Sequence, residues 1–216
     1  RDFLSHSQYS DYWAKMGINT RYDQVRVPTF IMGGWYDYYP RDAFNAFCKL
    51  RETAATETLR KRRRIIIGPW SHLISQGPTL GQVDYGKDSH INVDELALRW
   101  FDFLLKDIDT GIEDEPPVTI FVMGINKWRQ ENEWPLARTK YTDYFLHSDG
   151  KAAGTTDGVL STGSPGTEPA DKYNYDPDNP VPTVGGNHSI CWGQAFHMIQ
   201  PGPFDQREVE ARKDVL

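Results

Sequence analysis

The sequence is poor in cysteine, lacks long apolar runs and has fewer basic than acidic side chains. Its 2 cysteines, Cys48 and Cys191, show no CxxC spacing and cannot build a disulfide framework. No apolar run approaches the roughly 18 residues that a membrane-spanning helix needs, so no membrane partner is expected. The formal net charge of −6 disfavours nucleic acid as a partner, because contacts to the phosphate backbone require a basic face.

Two features suggest nucleic acid or metal, and neither is strong. The basic run at 60–64 stands between a predicted helix and a predicted strand, and we interpret it as a solvated helix end. The side chains that suggest a metal site are His188, Cys191 and His197, or His72 with His90. Neither set has a recognised ligand spacing. The sequence therefore predicts no nucleic acid partner, no metal site and no cofactor.

The two halves of the chain differ in composition, which predicts two domains. Residues 1–110 carry 15 basic and 14 acidic side chains, whereas residues 111–216 carry 9 and 16. Of the 14 prolines, 10 lie in the second half. The acidic, turn-rich stretch at 109–117 (DTGIEDEPP) is interpreted as a linker between a domain at 1–108 and a domain at 118–216.

The first domain has the pattern of an α/β fold, and the second has an all-β pattern. The elements predicted for residues 1–108 are a strand at 25–32, a helix at 41–50, a strand at 65–67 and a helix at 92–108 capped by Asn92 or Asp94. Short apolar runs that end in glycine are typical of buried strands in a parallel sheet. Residues 118–216 instead have β-branched or aromatic runs between clusters of Gly, Pro, Asp and Ser. This pattern predicts a β-sandwich or jelly roll.

Each predicted strand is followed by a tryptophan, and two positions after each tryptophan stands a titratable residue. The first strand leads to Trp35 and Asp37, and the second to Trp70 and His72. In α/β sheets, ligands bind outside the carboxyl ends of the strands, so Asp37 and His72 are candidate catalytic residues. An aspartate before a histidine is the second part of the Ser…Asp…His order of α/β-hydrolases, in which the histidine moves the proton and the carboxylate orients the ring.

Less specific interpretations of the same residues stay open at this point. An aspartate after a strand is commonly a turn or cap residue, and a histidine in a loop is commonly solvated. Trp35 and Trp70 could line a substrate pocket, or they could pack the end of the sheet beneath the catalytic pair. We expect the side chains of Asp37 and His72 to lie within hydrogen-bonding distance if the catalytic interpretation holds.

The amino-acid sequence around Asp37 and His72, together with several later segments, resembles the cocaine esterase and X-prolyl dipeptidyl aminopeptidase superfamily, the CocE/NonD hydrolases. The matching segments are GGWYD (33–37), IIIGPWSH (65–72), WFDFLLKD (100–107), VTIFVMGINKWR (118–129), WPLA (134–137), YNYDPDNPVPTVGG (173–186) and QREVEARKDVL (206–216). The resemblance implies an α/β-hydrolase domain followed by a β jelly-roll domain. It also implies that Asp37 and His72 are the acid and base of the triad, and it makes Trp192 a weak candidate for the acyl pocket.

The family's nucleophile elbow, GxSxG, does not occur in the 216 residues. Ser71 is adjacent to His72, but adjacent side chains leave the backbone in different directions, so Ser71 is not expected to be the nucleophile. We expect the serine and the oxyanion-hole donors to precede Arg1, and both domains to be incomplete. The chain is thus interpreted as the C-terminal part of a serine hydrolase. A cytoplasmic location is expected, while secretion stays open.

The expected partners are a small acyl ester, an amide or an X-Pro peptide as substrate, and either the missing N-terminal part or a second copy of the chain to cover its sheet edge. The fragment alone is expected to be inactive. The alternative function is a non-catalytic β-sandwich binding module on a degenerate hydrolase scaffold. A GxSxG elbow encoded upstream would favour the enzyme, and its absence would favour the binding module.

Overall fold

The computed structural model of the chain describes residues 2–75, 77–153, 157–187 and 200–215. The α-helices of this part are α1 (Asp2–Ser5), α2 (Asp11–Met16), α3 (Pro40–Glu52), α4 (Glu57–Lys61), α5 (Val93–Lys106) and α6 (Arg207–Glu210). The strands are β1 (Thr29–Gly34), β2 (Arg63–Gly68), β3 (Thr79–Leu80), β4 (Val83–Asp84), β5 (Val118–Val122), β6 (Lys127–Glu131), β7 (Phe145–His147) and β8 (Val159–Ser161). Short 3₁₀ turns lie at Tyr22–Gln24, Lys87–Ser89 and Ile112–Asp114.

The largest sheet of the described residues has the strand order β1-β2-β5-β6. β1 and β2 are parallel, with Thr29 opposite Arg63 and Gly34 opposite Gly68. Parallel strands need a long crossover, and α3 and α4 supply it. The prediction that the two glycine-terminated runs are strands of a parallel sheet is confirmed, and the structure makes them direct neighbours.

The strand after the predicted linker joins the same sheet. β5 pairs in parallel with β2, and β6 then pairs antiparallel with β5. The sequence pattern predicts residues 118–131 as part of the all-β segment, whereas in the structure they extend the sheet of β1 and β2. The physical reason is burial: Val118, Ile120 and Phe121 are almost fully buried, and α5 provides the crossover that brings β5 alongside β2. The division of the chain into 1–108 and 118–216 itself stays a prediction.

Helices contact both faces of this sheet. On one face, α3 packs Phe44 and Phe47 against Ile65 and Ile67 of β2. On the other face, the ring of Trp100 from α5 meets Phe30 of β1 edge-on, with the ring centroids 5.5 Å apart. Side chains at alternate positions of β1 and β2 therefore point to opposite faces of the sheet, one covered by α3 and the other by α5, as expected for strands covered on both sides.

Helix capping agrees with the sequence at α5. The side chain of Asn92 accepts hydrogen bonds from the backbone N–H groups of Asp94 and Glu95 at 3.1 and 3.2 Å. Asn92, and not Asp94, is therefore the N-cap.

The basic run at 60–64 requires a correction. Arg60 and Lys61 end α4 in solvent, but Arg63 and Arg64 are buried residues of β2. The Arg63 guanidinium donates to the carbonyl of Val25 at 2.7 Å, and Arg64 donates to the carbonyls of Glu115 and Pro116. The expectation of a solvated helix end is wrong for these two residues, because backbone carbonyls before β1 and β5 bind part of each buried guanidinium, and the carboxylate of Glu115 lies 3.5 Å from that of Arg64.

The remaining strands form small antiparallel pairs, β3 with β4 and β7 with β8. The C-terminal segment reaches the first of these pairs, since the N–H of Gln82 donates to the carbonyl of Pro203 at 2.9 Å. The jelly roll expected for residues 118–216 stays a prediction. Within the described residues, no helix is both long enough and apolar enough to cross a bilayer.

Candidate active site at the ends of β1 and β2

The pairing of β1 with β2 continues beyond the last strand residues. The backbone N–H of Trp35 donates to the carbonyl of Gly68, and that of Tyr36 donates to the carbonyl of Trp70, both at 2.9 Å. The N–H of Asp37 then turns back to the carbonyl of Gly34 at 3.1 Å. The main chain therefore holds the loop before Asp37 against the loop before His72.

Two glycines make this close approach sterically feasible. A Cβ atom on Gly34 would lie 2.1 Å from the carbonyl oxygen of Trp70, which is backbone and cannot rotate away. A Cβ atom on Gly68 would lie 2.3 Å from the indole ring of Trp70. Each position thus excludes a side chain for a different reason, and together they set the spacing of the two loops.

Asp37 and His72 meet at the end of this paired segment. Nδ1 of His72 donates to Oδ2 of Asp37 at 3.0 Å, so the expected hydrogen bond is confirmed. Asp37 is only 6% exposed, and its Oδ1 accepts from the backbone N–H of Tyr39 at 3.2 Å. The carboxylate is therefore fixed from both oxygens. The His72 side chain is 32% exposed, compared with 9% for that of Asp37. The second ring nitrogen of His72, Nε2, is the one that does not bind Asp37.

Two tyrosines that sequence reasoning missed surround the imidazole. The ring of Tyr38 stacks on His72, with centroids 5.2 Å apart and planes inclined by 17°. The ring of Tyr39 lies 5.9 Å away and is inclined by 58°. The only signal in the sequence was their position directly after Asp37, which does not reveal the direction of either ring.

The predicted tryptophans pack the end of the sheet. Trp70 is 2% exposed, its indole N–H donates to the carbonyl of Ser89 at 2.9 Å, and its ring contacts Trp128. The indole N–H of Trp35 donates to the carbonyl of Phe121 at 2.8 Å. Both rings thus support the strands that carry the pair, and contact of either ring with a substrate stays a prediction. Trp192 lies outside the described residues.

The hydroxyl of Ser71 bonds to the loop that follows it. It is 1% exposed, and its Oγ accepts a hydrogen bond from the backbone N–H of Leu73 at 3.3 Å. This hydroxyl is engaged within its own loop.

The metal alternative finds no support in the described residues. Nδ1 of His72 is bonded to Asp37, and Nδ1 of His90 lies 3.1 Å from the hydroxyl of Ser75. In the part of the chain that the structure describes, no group of three His, Cys, Asp or Glu side chains is arranged to hold a metal ion. His188, Cys191 and His197 lie outside that part.

A serine–histidine–carboxylate cluster joins β7 and β8. Nδ1 of His147 lies 2.7 Å from Oε1 of Glu168, and Nε2 lies 3.1 Å from the hydroxyl of Ser161. Nε2 also lies 3.0 Å from the carbonyl of Gly163, which can only accept a hydrogen bond. Nε2 therefore carries a proton and cannot serve as a base toward Ser161. The hydrogen bond to Glu168 raises the pKa of His147 and lowers the pKa of Glu168. The cluster is an ion pair that ties the segment around Glu168 to the β7–β8 pair.

This ion pair predicts a pH window for the β7–β8 pair. Because the pKa of His147 is raised on folding, its stabilisation is complete below the unfolded pKa and is lost as pH rises through the folded value. Because the pKa of Glu168 is lowered, its stabilisation is lost as pH falls through the folded value. Amide hydrogen exchange of β7 and β8 should therefore show greatest protection between the two values.

The matched variant for this prediction is His147→Gln, which keeps hydrogen-bonding groups but cannot be charged. In it, the loss of β7–β8 protection on the alkaline side should disappear, while the β5–β6 pair serves as the internal control. An alkaline loss that persists unchanged in His147→Gln contradicts the assignment.

Comparisons with known proteins give the chain a family. Residues 1–74 match the X-Pro dipeptidyl-peptidase (S15) family, and residues 110–215 match the X-Pro dipeptidyl-peptidase C-terminal non-catalytic domain. Cocaine esterase of Rhodococcus sp. is 33% identical over 217 residues, which is 99% of this chain and 35% of the esterase. A putative serine esterase of Mycobacterium bovis is 30% identical over 121 residues, covering 54% of this chain and 17% of that protein.

The fold comparison agrees with the sequence matches. The crystal structure of an aminopeptidase from a marine sediment archaeon, Thaumarchaeota archaeon, superposes with a TM-score of 0.75 and 23% identity. The superposition covers 99% of this chain and 34% of the aminopeptidase, so the chain spans about a third of the length of these two relatives. The two domain families match in the order in which they stand along this chain, and cocaine esterase matches 99% of this chain. The chain therefore belongs to the CocE/NonD and X-Pro dipeptidyl-peptidase family of hydrolases.

Proposed function

We propose that this chain carries the acid and the base of a serine hydrolase that cleaves an ester or amide bond. The observation that supports the proposal is the 3.0 Å hydrogen bond between Asp37 and His72 at the carboxyl ends of adjacent parallel strands. Family membership supports a hydrolase of the esterase and peptidase type. The proposed substrates are esters, acylamides and X-Pro peptides.

The proposed roles follow from the two edges of the imidazole. Nδ1–H is held by Asp37, so Nε2 is the basic nitrogen, and among the described residues it has no hydrogen-bond partner. Nε2 takes the proton of a serine hydroxyl as the serine oxygen attacks the carbonyl carbon, and then donates that proton to the departing alcohol or amine. Water repeats the sequence on the acyl-enzyme, which releases the acid and regenerates the serine. No metal or cofactor takes part in the proposed reaction.

The nucleophile is proposed to come from outside the 216 residues. The sequence contains no GxSxG, and the hydroxyl of Ser71 is buried and bonded to Leu73. The sheet offers a place for further chain, since β1 pairs with β2 alone among the described strands and its other edge is open. We propose that a preceding part of the polypeptide, or else a second copy, covers this edge, and that residues 118–216 contribute to a jelly-roll domain.

The test uses the product of the whole open reading frame that encodes this chain. Fluorophosphonate should label one serine in a GxSxG segment, and His72→Ala should abolish both the labelling and the hydrolysis of p-nitrophenyl esters, X-Pro anilides or acylamides. His6→Ala, a histidine far from the pair in sequence, is the matched control and should keep both. The 216-residue chain alone should hydrolyse none of these substrates.

Two outcomes contradict the proposal. The first is a product without a reactive serine and without turnover, which would favour a binding module. The second is ester turnover by the purified 216-residue chain that His72→Ala abolishes, which would place the nucleophile inside the chain.

A further inference from the structure

The His72 imidazole is held in two directions by two different kinds of contact. Asp37 binds its Nδ1 edge in the plane of the ring at 3.0 Å. Tyr38 covers one face, with ring centroids 5.2 Å apart and an inclination of 17°. Tyr39 contacts Tyr38 in turn, with centroids 4.1 Å apart, and so braces the stacked ring from the side.

The single hydrogen bond to Asp37 does not by itself fix the plane of the His72 ring. Small rotations about the Cα–Cβ and Cβ–Cγ bonds of His72 can tilt the ring while the hydrogen bond to Asp37 persists, and such a tilt moves Nε2 out of the direction of an attacking serine. A stacked ring opposes this tilt, because tilting the imidazole forces its edge into the face of Tyr38. The negative face of an aromatic ring also favours the imidazolium, the form that exists while the serine proton is on the histidine.

We propose that Tyr38 is a positioning residue, which fixes the plane of the His72 ring and stabilises its protonated form by stacking. The proposal rests on the proposed function of His72. Tyr38 acts through its ring, not through its hydroxyl, so phenylalanine should replace it and leucine should not. Tyr38 is 44% exposed, so its replacement by leucine also removes buried area, and Tyr38→Phe, which keeps the ring, is the variant that separates the stack from that loss.

The stack itself is tested by NMR on the product of the whole open reading frame, with labelled histidine. Protons above an aromatic face are shifted upfield, so Tyr38→Leu should move the His72 ring protons downfield, while Tyr38→Phe should leave them in place. Tyr141→Leu, a tyrosine that is 82% exposed, is the matched control and should not change them. Ring protons that stay in place in Tyr38→Leu overturn the proposed stack.

The catalytic consequence is tested on the product of the whole open reading frame. Tyr38→Leu should lower kcat about two- to fivefold with little change in KM, as expected for a stacking contact at an exposed site. Tyr38→Phe should restore kcat, and Tyr141→Leu should not change it. A kcat for Tyr38→Leu equal to that of the wild type overturns the positioning role, as does a failure of Tyr38→Phe to restore it. If the wild-type product hydrolyses nothing, the proposed function fails, while the NMR result still decides the stack.

Discussion

Replacing Asp37 by asparagine is expected to lower kcat of the whole enzyme by about 10⁴-fold while leaving the fold intact. Asparagine has nearly the same shape, so the N–H of Tyr39 can still find a side-chain oxygen. The amide has no charge to stabilise the imidazolium, and its NH₂ group can face Nδ1. In that arrangement Nδ1 becomes the acceptor, Nε2 carries the proton, and His72 can no longer act as the base toward a serine.

The matched control is Asp42→Asn, which removes the same charge at an exposed position in the first turn of α3. It should change kcat little. The measurements are kcat with the best substrate of the panel, the rate of fluorophosphonate labelling, and thermal unfolding. An Asp37→Asn enzyme whose kcat stays within about tenfold of the wild type would leave Asp37 a structural role only.

The second large effect is expected from adding one methyl group at the end of β1. In Gly34→Ala, the new Cβ would meet the carbonyl oxygen of Trp70 at 2.1 Å and the carbonyl carbon at 2.5 Å. The two loops must then separate, which should destabilise the protein by about 1–3 kcal/mol or more. The separation also moves His72 from Asp37, and a displacement of about 1 Å can lower the rate about 10²-fold.

The neighbouring glycine provides the control for this substitution. In Gly33→Ala, the new Cβ would approach only the Cδ1 atom of Ile67, at 3.1 Å, and the end of a flexible side chain can give way. Gly166→Ala adds a methyl group where no other atom lies within 4 Å. Urea unfolding and kcat should be affected strongly by Gly34→Ala and only slightly by the other two. Equal effects of Gly33→Ala and Gly34→Ala would show that the backbone contact with Trp70 does not set the loop spacing.

The core of the site could be predicted from local sequence. A short apolar run closed by glycine indicates a buried strand, and the position directly after it indicates the edge of the sheet. These two facts were enough to bring Asp37 and His72 together, because parallel neighbours end at the same edge. The N-cap at Asn92 was also local, since its side chain bonds backbone groups two and three residues on.

The features that sequence reasoning missed depend on distant partners. β5 was assigned by its β-branched composition, which does not reveal that its neighbour would be β2, some 50 residues earlier. Arg63 and Arg64 look like solvent-exposed charges until the carbonyls of Val25, Glu115 and Pro116 are brought to them. The stack of Tyr38 on His72 depends on ring directions that only the folded turn defines.

The position of β2 between β1 and β5 also affects how this protein is made in the cell. β2 is complete at Gly68, but the strands on its far side extend from Val118 to Glu131. At synthesis rates of roughly 5–20 residues per second, the ribosome needs about 3–13 s to add the chain from Pro69 to Glu131. During this interval β2, which leads to His72, has an edge without a neighbouring strand, and exposed strand edges of this kind make incomplete chains prone to aggregation. The pair of Asp37 and His72 therefore gains its final support only after translation has passed Glu131.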